Sequence, residues 1–144
     1  MTTSATRASI STRDDIANLL NQTDWAIISA ERTNQTTEEN CVETDRLGAS
    51  LYRQGLKAVH VRGTYGGVQE LSFFCSGISR VTALTIARVY RQESILTRGG
   101  IVYCDGRPTL PATGIVVFDA EDVDGPTDDY TYSPEADAVF TVQF

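Results

Sequence analysis

Residues 57–75 read KAVHVRGTYGGVQELSFFC, and this stretch predicts a β-hairpin. Two runs rich in β-branched and aromatic residues, 57–63 and 70–75, are typical of strands. Between them lie Gly66 and Gly67, and glycine is the residue that tight hairpin turns accommodate most easily. The hairpin is therefore the centre of the predicted fold, and the neighbouring segments are interpreted relative to it.

The register of this hairpin follows from its turn. If Thr64 faces Val68, the strands pair so that one face is apolar and the other is mixed. The apolar face consists of Val59, Val61, Leu71 and Phe73, and the mixed face of Ala58, His60, Arg62, Ser72 and Phe74. This register places His60, the single histidine, on the opposite face from Cys75, so a catalytic Cys–His pair is not expected.

A helix is predicted on each side of the hairpin. Thr36 and Glu39 have capping-box spacing and begin a helix over 37–54. Ser79 caps a second helix, which ends near residue 92. The apolar stripes are Cys41, Thr44, Leu47, Gly48 and Leu51 on the first helix, and Val81, Ala83, Leu84, Ile86, Ala87 and Tyr90 on the second. We expect both helices to cover the apolar face of the hairpin.

Shorter elements complete the pattern. A short helix to about Asn21 precedes a strand over 25–30, and further strands are predicted over 94–97, 101–104, 115–118 and 138–144. From residue 25 onward the order begins with strand, helix, two strands, helix and strand. This order predicts an α+β fold, namely a two-layer sandwich with a ferredoxin-like βαββαβ core and extra C-terminal strands.

Length and composition favour one domain. The chain has 144 residues, of which 41% are hydrophobic and 22% charged, enough to enclose a single core. Residues 1–10 are mostly small and polar, so a flexible N-terminal arm is predicted there, followed by a single domain over 11–144. The sequence contains neither an apolar run of about 20 residues nor an apolar signal segment, so we expect a cytoplasmic protein that does not bind membranes.

Acidic residues are concentrated in the segment 119–137. This segment lacks Lys and Arg but holds eight acids, which are Asp119, Glu121, Asp122, Asp124, Asp128, Asp129, Glu135 and Asp137. It is either a solvated loop that folds over the stripe of Arg80, Arg88 and Arg91, or an acidic docking surface for a basic protein partner. The net charge of −7 argues against direct binding of nucleic acid.

No motif for a bound nucleotide or metal is present. The glycines do not form a phosphate-binding loop, and the three cysteines have no CxxC spacing. Residues 122–125 resemble the middle of an EF-hand, but Ala120 and Thr131 occupy the two positions that need Asp and Glu. We therefore expect no cofactor and no metal.

Polar residues lie at the ends of predicted elements. Glu31, Arg32 and Asn34 follow the first strand, Asn40 lies in the first turn of the helix after it, and Gln92 and Glu93 precede the strand over 94–97. If these two strands are neighbours, Glu31 and Glu93 could act as general acid and base while Arg32 binds an anion. The alternative is that these side chains cap or pair locally.

Four short motifs, and their order along the chain, resemble those of a family of small bacterial and phage proteins. They are AIISAERTNQTTEEN (26–40), GTYGGVQELSFF (63–74), ARVYRQESIL (87–96) and GIVYCDG (100–106). The resemblance covers about residues 25–106 and implies a small α/β domain of phage origin. It also implies a site that includes Glu31, Asn40, Tyr65, Glu70, Gln92 and Glu93. No activity follows from it.

The function predicted from these features is that of a small, phage-encoded accessory protein that binds another protein, as a modulator or inhibitor of a host factor. Its interface would use the acidic segment together with Tyr65 and Tyr130, and the strand over 138–144 would be free to extend a partner's sheet. Two alternatives stay open: a structural component of the virion, and a small hydrolase or transferase with its site at Glu31, Arg32, Asn40 and Glu93. The sequence leaves the oligomeric state undetermined.

Overall fold

The computed structural model describes residues 13–22, 24–65, 68–119 and 129–144, and the predicted arm over 1–10 lies outside these ranges. The described residues form three helices, α1 (Arg13–Gln22), α2 (Thr37–Arg53) and α3 (Arg80–Val89). They also form nine strands, β1 (Trp25–Ser29), β2 (Lys57–Tyr65), β3 (Val68–Ser76), β4 (Ser94–Thr97), β5 (Gly100–Tyr103), β6 (Leu110–Pro111), β7 (Gly114–Asp119), β8 (Tyr130–Ser133) and β9 (Ala138–Gln143).

All nine strands belong to one antiparallel sheet, in the order β6-β5-β4-β1-β3-β2-β8-β9-β7. The sheet curls into a half-barrel, so the prediction of a two-layer ferredoxin-like α+β sandwich is wrong. The physical reason lies in the C-terminal strands. Because β8 pairs with β2 at Thr64–Tyr130 and Arg62–Tyr132, β8, β9 and β7 extend the sheet sideways. A twisted sheet of this width curls instead of lying flat under one layer of helices.

The helix starts agree with the local sequence. Thr36 Oγ1 accepts a hydrogen bond from the Glu39 amide at 3.1 Å, and the Glu39 carboxylate accepts one from the Thr36 amide at 2.9 Å. This capping box begins α2 as predicted. Gly55, with φ +73°, follows the end of the helix in the left-handed region. Ser79 caps α3 by accepting from the Thr82 amide at 3.1 Å.

The outer face of the sheet is the face on which α2 and α3 pack. Leu47 and Leu51 of α2 and Ile86 of α3 are buried there. The sheet contributes alternate residues of its central strands, namely Ala26, Ile28, Phe73, Cys75 and Ile95. Gly48 allows α2 to lie close to the sheet, because a Cβ atom at this position would stand 3.0 Å from the ring of Phe73.

The inner face is the opposite side of the sheet, on which α1 packs. Ile16 and Leu20 of α1 are fully buried against Trp25, Phe74 and Phe140. The Trp25 ring stacks on Phe74 with 5.4 Å between centroids and meets Phe140 edge-on at 6.1 Å. The indole N–H donates to the Leu20 carbonyl at 3.0 Å, so the tryptophan ties α1 to the sheet.

The register of the central hairpin differs from the prediction by one residue. β2 and β3 form the predicted hairpin, but Tyr65 pairs with Val68, so Val59 lies opposite Phe74 and His60 opposite Phe73. A shift of one residue exchanges the faces of a strand pair. Val59 and Val61 therefore face inward, and the helices pack on Ala58 and Phe73 instead.

This shift also corrects the position of the histidine. His60 and Cys75 share the outer face, because their pairing partners Phe73 and Ala58 lie on it. The exposed His60 ring contacts Phe73 with 4.5 Å between centroids. Burial raises the pKa of the Cys75 thiol to about 12, so this sulfur stays protonated at neutral pH and is a poor nucleophile.

The C-terminal strand does not lie at an edge of the sheet. β9 pairs with β8 on one side and with β7 on the other. The prediction that residues 138–144 are free to extend a partner's sheet is therefore wrong. The strands at the two ends of the sheet order are β6 and β7. β6 contains Pro111, a residue that lacks the N–H of a central strand.

Candidate functional site

The inner face contains a cleft that α1 does not fill. Its volume is about 580 Å³, within the range of small-molecule sites. Eight apolar residues line it, Ile27, Val68, Ile95, Leu96, Ile101, Leu110, Val142 and Phe144. The other lining residues are Ser29, Gly63, Glu70, Ser72, Gln92, Ser94 and Asp129. The cleft is therefore mostly apolar, with several polar groups.

The cleft lies between the buried inner core and solvent. Ile27, Leu96 and Val142 belong both to its lining and to the core that surrounds Trp25. Three other lining residues are well exposed, with exposed fractions of 57% for Val68, 42% for Leu110 and 50% for Phe144. Apolar surface at the opening of a concave site is covered when a ligand binds. The cleft thus has apolar walls and an apolar opening.

Glu70 is the acidic group set into the wall of the cleft. It pairs with Gly63 across the central hairpin, on the inner face that also carries Ser72 and Phe74. Burial raises the pKa of the Glu70 carboxyl above its ordinary value of 4.5, and the neighbouring charge of Glu31 raises it further. A hydrogen bond with Ser29 lowers it in part. A carboxyl group with a raised pKa in a cleft is typical of functional sites.

Ser29 connects the cleft to the loop after β1. Its hydroxyl donates to the Leu71 carbonyl at 3.0 Å and accepts from the Glu31 amide at 3.0 Å. A hydroxyl has one proton to donate, so the Leu71 carbonyl and the Glu70 carboxylate compete for this single donor. The Glu70 carboxylate is therefore only partly compensated by its serine neighbour.

Replacing Glu70 by glutamine should stabilise the free protein at neutral pH. The raised pKa of Glu70 means that the folded protein favours the protonated carboxyl, so its stabilising contribution is complete below pH 4.5 and is lost as pH rises through the folded-state pKa. The charge of Glu31 acts in the same direction. We expect E70Q to have a higher Tm than the wild type at pH 7 and the same Tm at about pH 4.

Thermal unfolding at the two pH values measures this effect, and Glu135→Gln is the matched control. Glu135 is exposed and does not line the cleft, so E135Q removes one negative charge elsewhere. The control should leave Tm nearly unchanged at both pH values. An E70Q protein that is less stable than the wild type at pH 7 would contradict a raised pKa of Glu70.

The predicted rim residues lie at the end of β1 next to the cleft. The Asn40 side chain accepts from the Arg32 amide at 2.9 Å and donates to the Arg32 carbonyl at 3.1 Å. Gln92 donates to the Glu31 carbonyl at 3.1 Å, and it also lines the cleft. The structure therefore brings Glu31, Arg32 and Asn40 together, and Asn40 and Gln92 fix the backbone there.

Glu93 has a different partner. Its carboxylate binds the Arg107 guanidinium at 3.0 Å, and Arg107 also pairs with Asp105 at 2.8 Å. The same guanidinium lies over the Tyr103 ring, 4.2 Å from the centroid. The acid that interacts electrostatically with Glu70 is Glu31.

The residues predicted to bind a protein partner are described only in part. Glu121, Asp122, Asp124 and Asp128 lie outside the described residues, as do the side chains of Asp119 and Tyr65. Asp129 is exposed and lines the cleft, whereas Tyr130 is half-buried and pairs with Thr64. The acidic segment also contains β8, a strand that the sequence did not indicate.

The arginines of α3 have partners in the segment after β5. Arg80 donates to the Thr109 hydroxyl, and Arg88 donates to the Cys104 carbonyl at 3.0 Å. Since residues 120–128 of the acidic segment lie outside the described residues, a fold of that segment over these arginines stays a prediction.

Sequence reasoning missed most of the cleft. Glu70 entered only through the family resemblance, Gln92 also through its place at the predicted rim, and Ser29, Ser72 and Ser94 were not singled out as site residues. Gly66 and Gly67 suit a two-residue turn, which pairs Tyr65 with Val68. That register would have placed Glu70 and Ser72 on one face with Val59 and Val61.

The described ranges lack the features of two other kinds of site. In these ranges, His, Cys, Asp and Glu side chains form no group of three that could hold a metal ion. The same ranges contain no helix with the length and apolar character needed to cross a membrane.

Comparisons with known proteins assign the chain to no family. No family model matches it, and no curated protein matches it. The resemblance to the bacterial and phage family, the protein partner, the cytoplasmic location and the accessory role stay predictions.

Proposed function

We propose that this protein binds a small amphipathic molecule in the cleft on the inner face of its sheet. The observation that carries the proposal is the cleft itself, a cavity of about 580 Å³ with mostly apolar walls and one partly buried carboxyl group. Small-molecule sites combine these features, an apolar lining with a few polar groups that orient the ligand.

The exposed residues at the opening support the same proposal. Val68, Leu110 and Phe144 present apolar surface to water around the cleft. Covering such surface yields about 25 cal/mol for each Å² removed from water. The polar end of the ligand would then lie near Glu70, Ser72 and Ser94, which line the same cavity.

Titration with octan-1-ol tests the proposal without involving ligand charge. The alcohol has a short apolar chain and one hydroxyl group, so it needs apolar walls and one polar partner. We expect saturable binding with one site per chain and a Kd below about 1 mM in isothermal titration calorimetry. The absence of saturable binding would contradict the proposal.

A variant that fills the cleft makes the test specific. Ile101 is half-buried in β5 and lines the cavity, so Ile101→Trp should occupy part of its volume and weaken octanol binding at least about tenfold. Val116→Trp is the matched control, because Val116 is exposed on β7 and does not line the cleft. Equal octanol affinities for I101W and V116W would place the binding elsewhere.

A further inference from the structure

We infer that the polar end of the ligand is a cation, such as a primary ammonium group attached to a short apolar body. This inference rests on the proposed function and specifies the ligand that the cleft prefers. It follows from the charges that line the cavity and from the hydrogen bonds of the partly buried carboxylate.

The charged side chains among the described lining residues are both acidic. Glu70 lies within the wall and Asp129 near the opening, while Lys, Arg and His do not occur among the described residues of the lining. Glu31 adds a third negative charge close to Glu70. An anionic head group would be repelled by these acids, whereas an ammonium group would be attracted.

The ion-paired arginine beside the end of the cleft formed by Gln92 and Ser94 is already engaged. Arg107 binds Glu93 at 3.0 Å and Asp105 at 2.8 Å, on the strand end next to Gln92 and Ser94. It also stacks on Tyr103. This guanidinium is therefore held by three groups outside the cleft and does not neutralise Glu70.

The hydrogen bonds around Glu70 leave room for a donor. The Leu71 carbonyl competes with Glu70 for the single proton of the Ser29 hydroxyl, so this neighbour satisfies the carboxylate only in part. An ammonium group brings three N–H donors and a compensating charge. Charge-assisted hydrogen bonds of this type are roughly twice as strong as neutral ones. The ammonium group thus supplies the hydrogen-bond donors and the positive charge that the partly buried carboxylate lacks.

The test compares three probes of equal chain length, octylammonium, octan-1-ol and octanoate, by calorimetry at pH 7. The wild type should bind octylammonium at least about tenfold more tightly than octanol, and octanoate more weakly than octanol. E70Q should lose most of the preference for octylammonium over octanol, and its cooperative thermal unfolding shows that it folds. E135Q should keep the preference.

The results with the three probes distinguish a failure of the cation inference from a failure of the proposed function. Octanol binding without a preference for octylammonium would contradict the inference that the ligand is a cation, but it would agree with a binding site for an amphipathic molecule. If E70Q and E135Q retained the preference for octylammonium equally, Glu70 would not be the group that binds the ammonium. This result would also overturn the inference. If none of the three probes bound, the proposed function itself would be contradicted.

Discussion

Replacing Trp25 with alanine is expected to lower the free energy of unfolding by about 3–5 kcal/mol, the range for large aromatic residues in a core. The side chain is only 2% exposed and contacts both Phe74 and Phe140. Its loss leaves a cavity between α1 and the sheet, and it removes the donor that satisfies the Leu20 carbonyl. Urea unfolding followed by circular dichroism measures the effect.

Tyr52→Ala is the matched control for this aromatic truncation. Tyr52 lies on α2 with 84% of its surface exposed, so its removal should change the stability by less than about 0.5 kcal/mol. If W25A and Y52A were equally stable, Trp25 would not be the side chain that joins α1 to the inner face.

Replacing Gly100 with alanine is expected to cost about 2–4 kcal/mol and to release β6 from the sheet. Gly100 has φ +126°, a conformation that residues with a side chain rarely adopt. An added Cβ atom would stand 2.0 Å from the Leu110 carbonyl oxygen and 2.8 Å from the Ala112 nitrogen. Since Leu110 lines the cleft, G100A should also weaken octanol binding.

The neighbouring glycine supplies the control. A Cβ atom at Gly99 would meet only the Thr97 hydroxyl at 3.7 Å, an ordinary contact. G99A should therefore keep the wild-type stability within about 1 kcal/mol and bind octanol normally. Hydrogen exchange of the Ala112 amide, which donates to the Gly99 carbonyl at 3.0 Å directly after β6, reports the pairing. Wild-type protection of this amide in G100A would show that the backbone tolerates a side chain there.

Local signals in the sequence predicted the local structure. The capping box of Thr36 and Glu39 and the cap at Ser79 set the starts of α2 and α3, because these hydrogen bonds involve residues close in the chain. The position of the hairpin along the chain was also predicted correctly. Its register was not, since an apolar residue such as Val59 or Leu71 suits either face of a sheet that is covered on both sides.

The cleft depends on pairings that no local signal specifies. β8 joins β2 through residues such as Thr64 and Tyr130, which are far apart in the chain. This pairing turns the C-terminal strands into a continuation of the sheet and brings Val142 and Phe144 to the same cavity as Glu70. The ends of the predicted elements gave Glu31 and Asn40 as candidates, but the carboxyl group of Glu70 lies on a central strand of the sheet.

The most direct test of the cleft as a ligand site is the map of backbone amide shifts in nuclear magnetic resonance as octylammonium is added. The predicted changes centre on inner-face residues Ser29, Glu70, Ser72 and Leu96, and they saturate with a single affinity. Residues of the outer face such as Leu47 and Ile86 should stay unchanged. Shifts confined to the outer face, or none at all, would contradict the site.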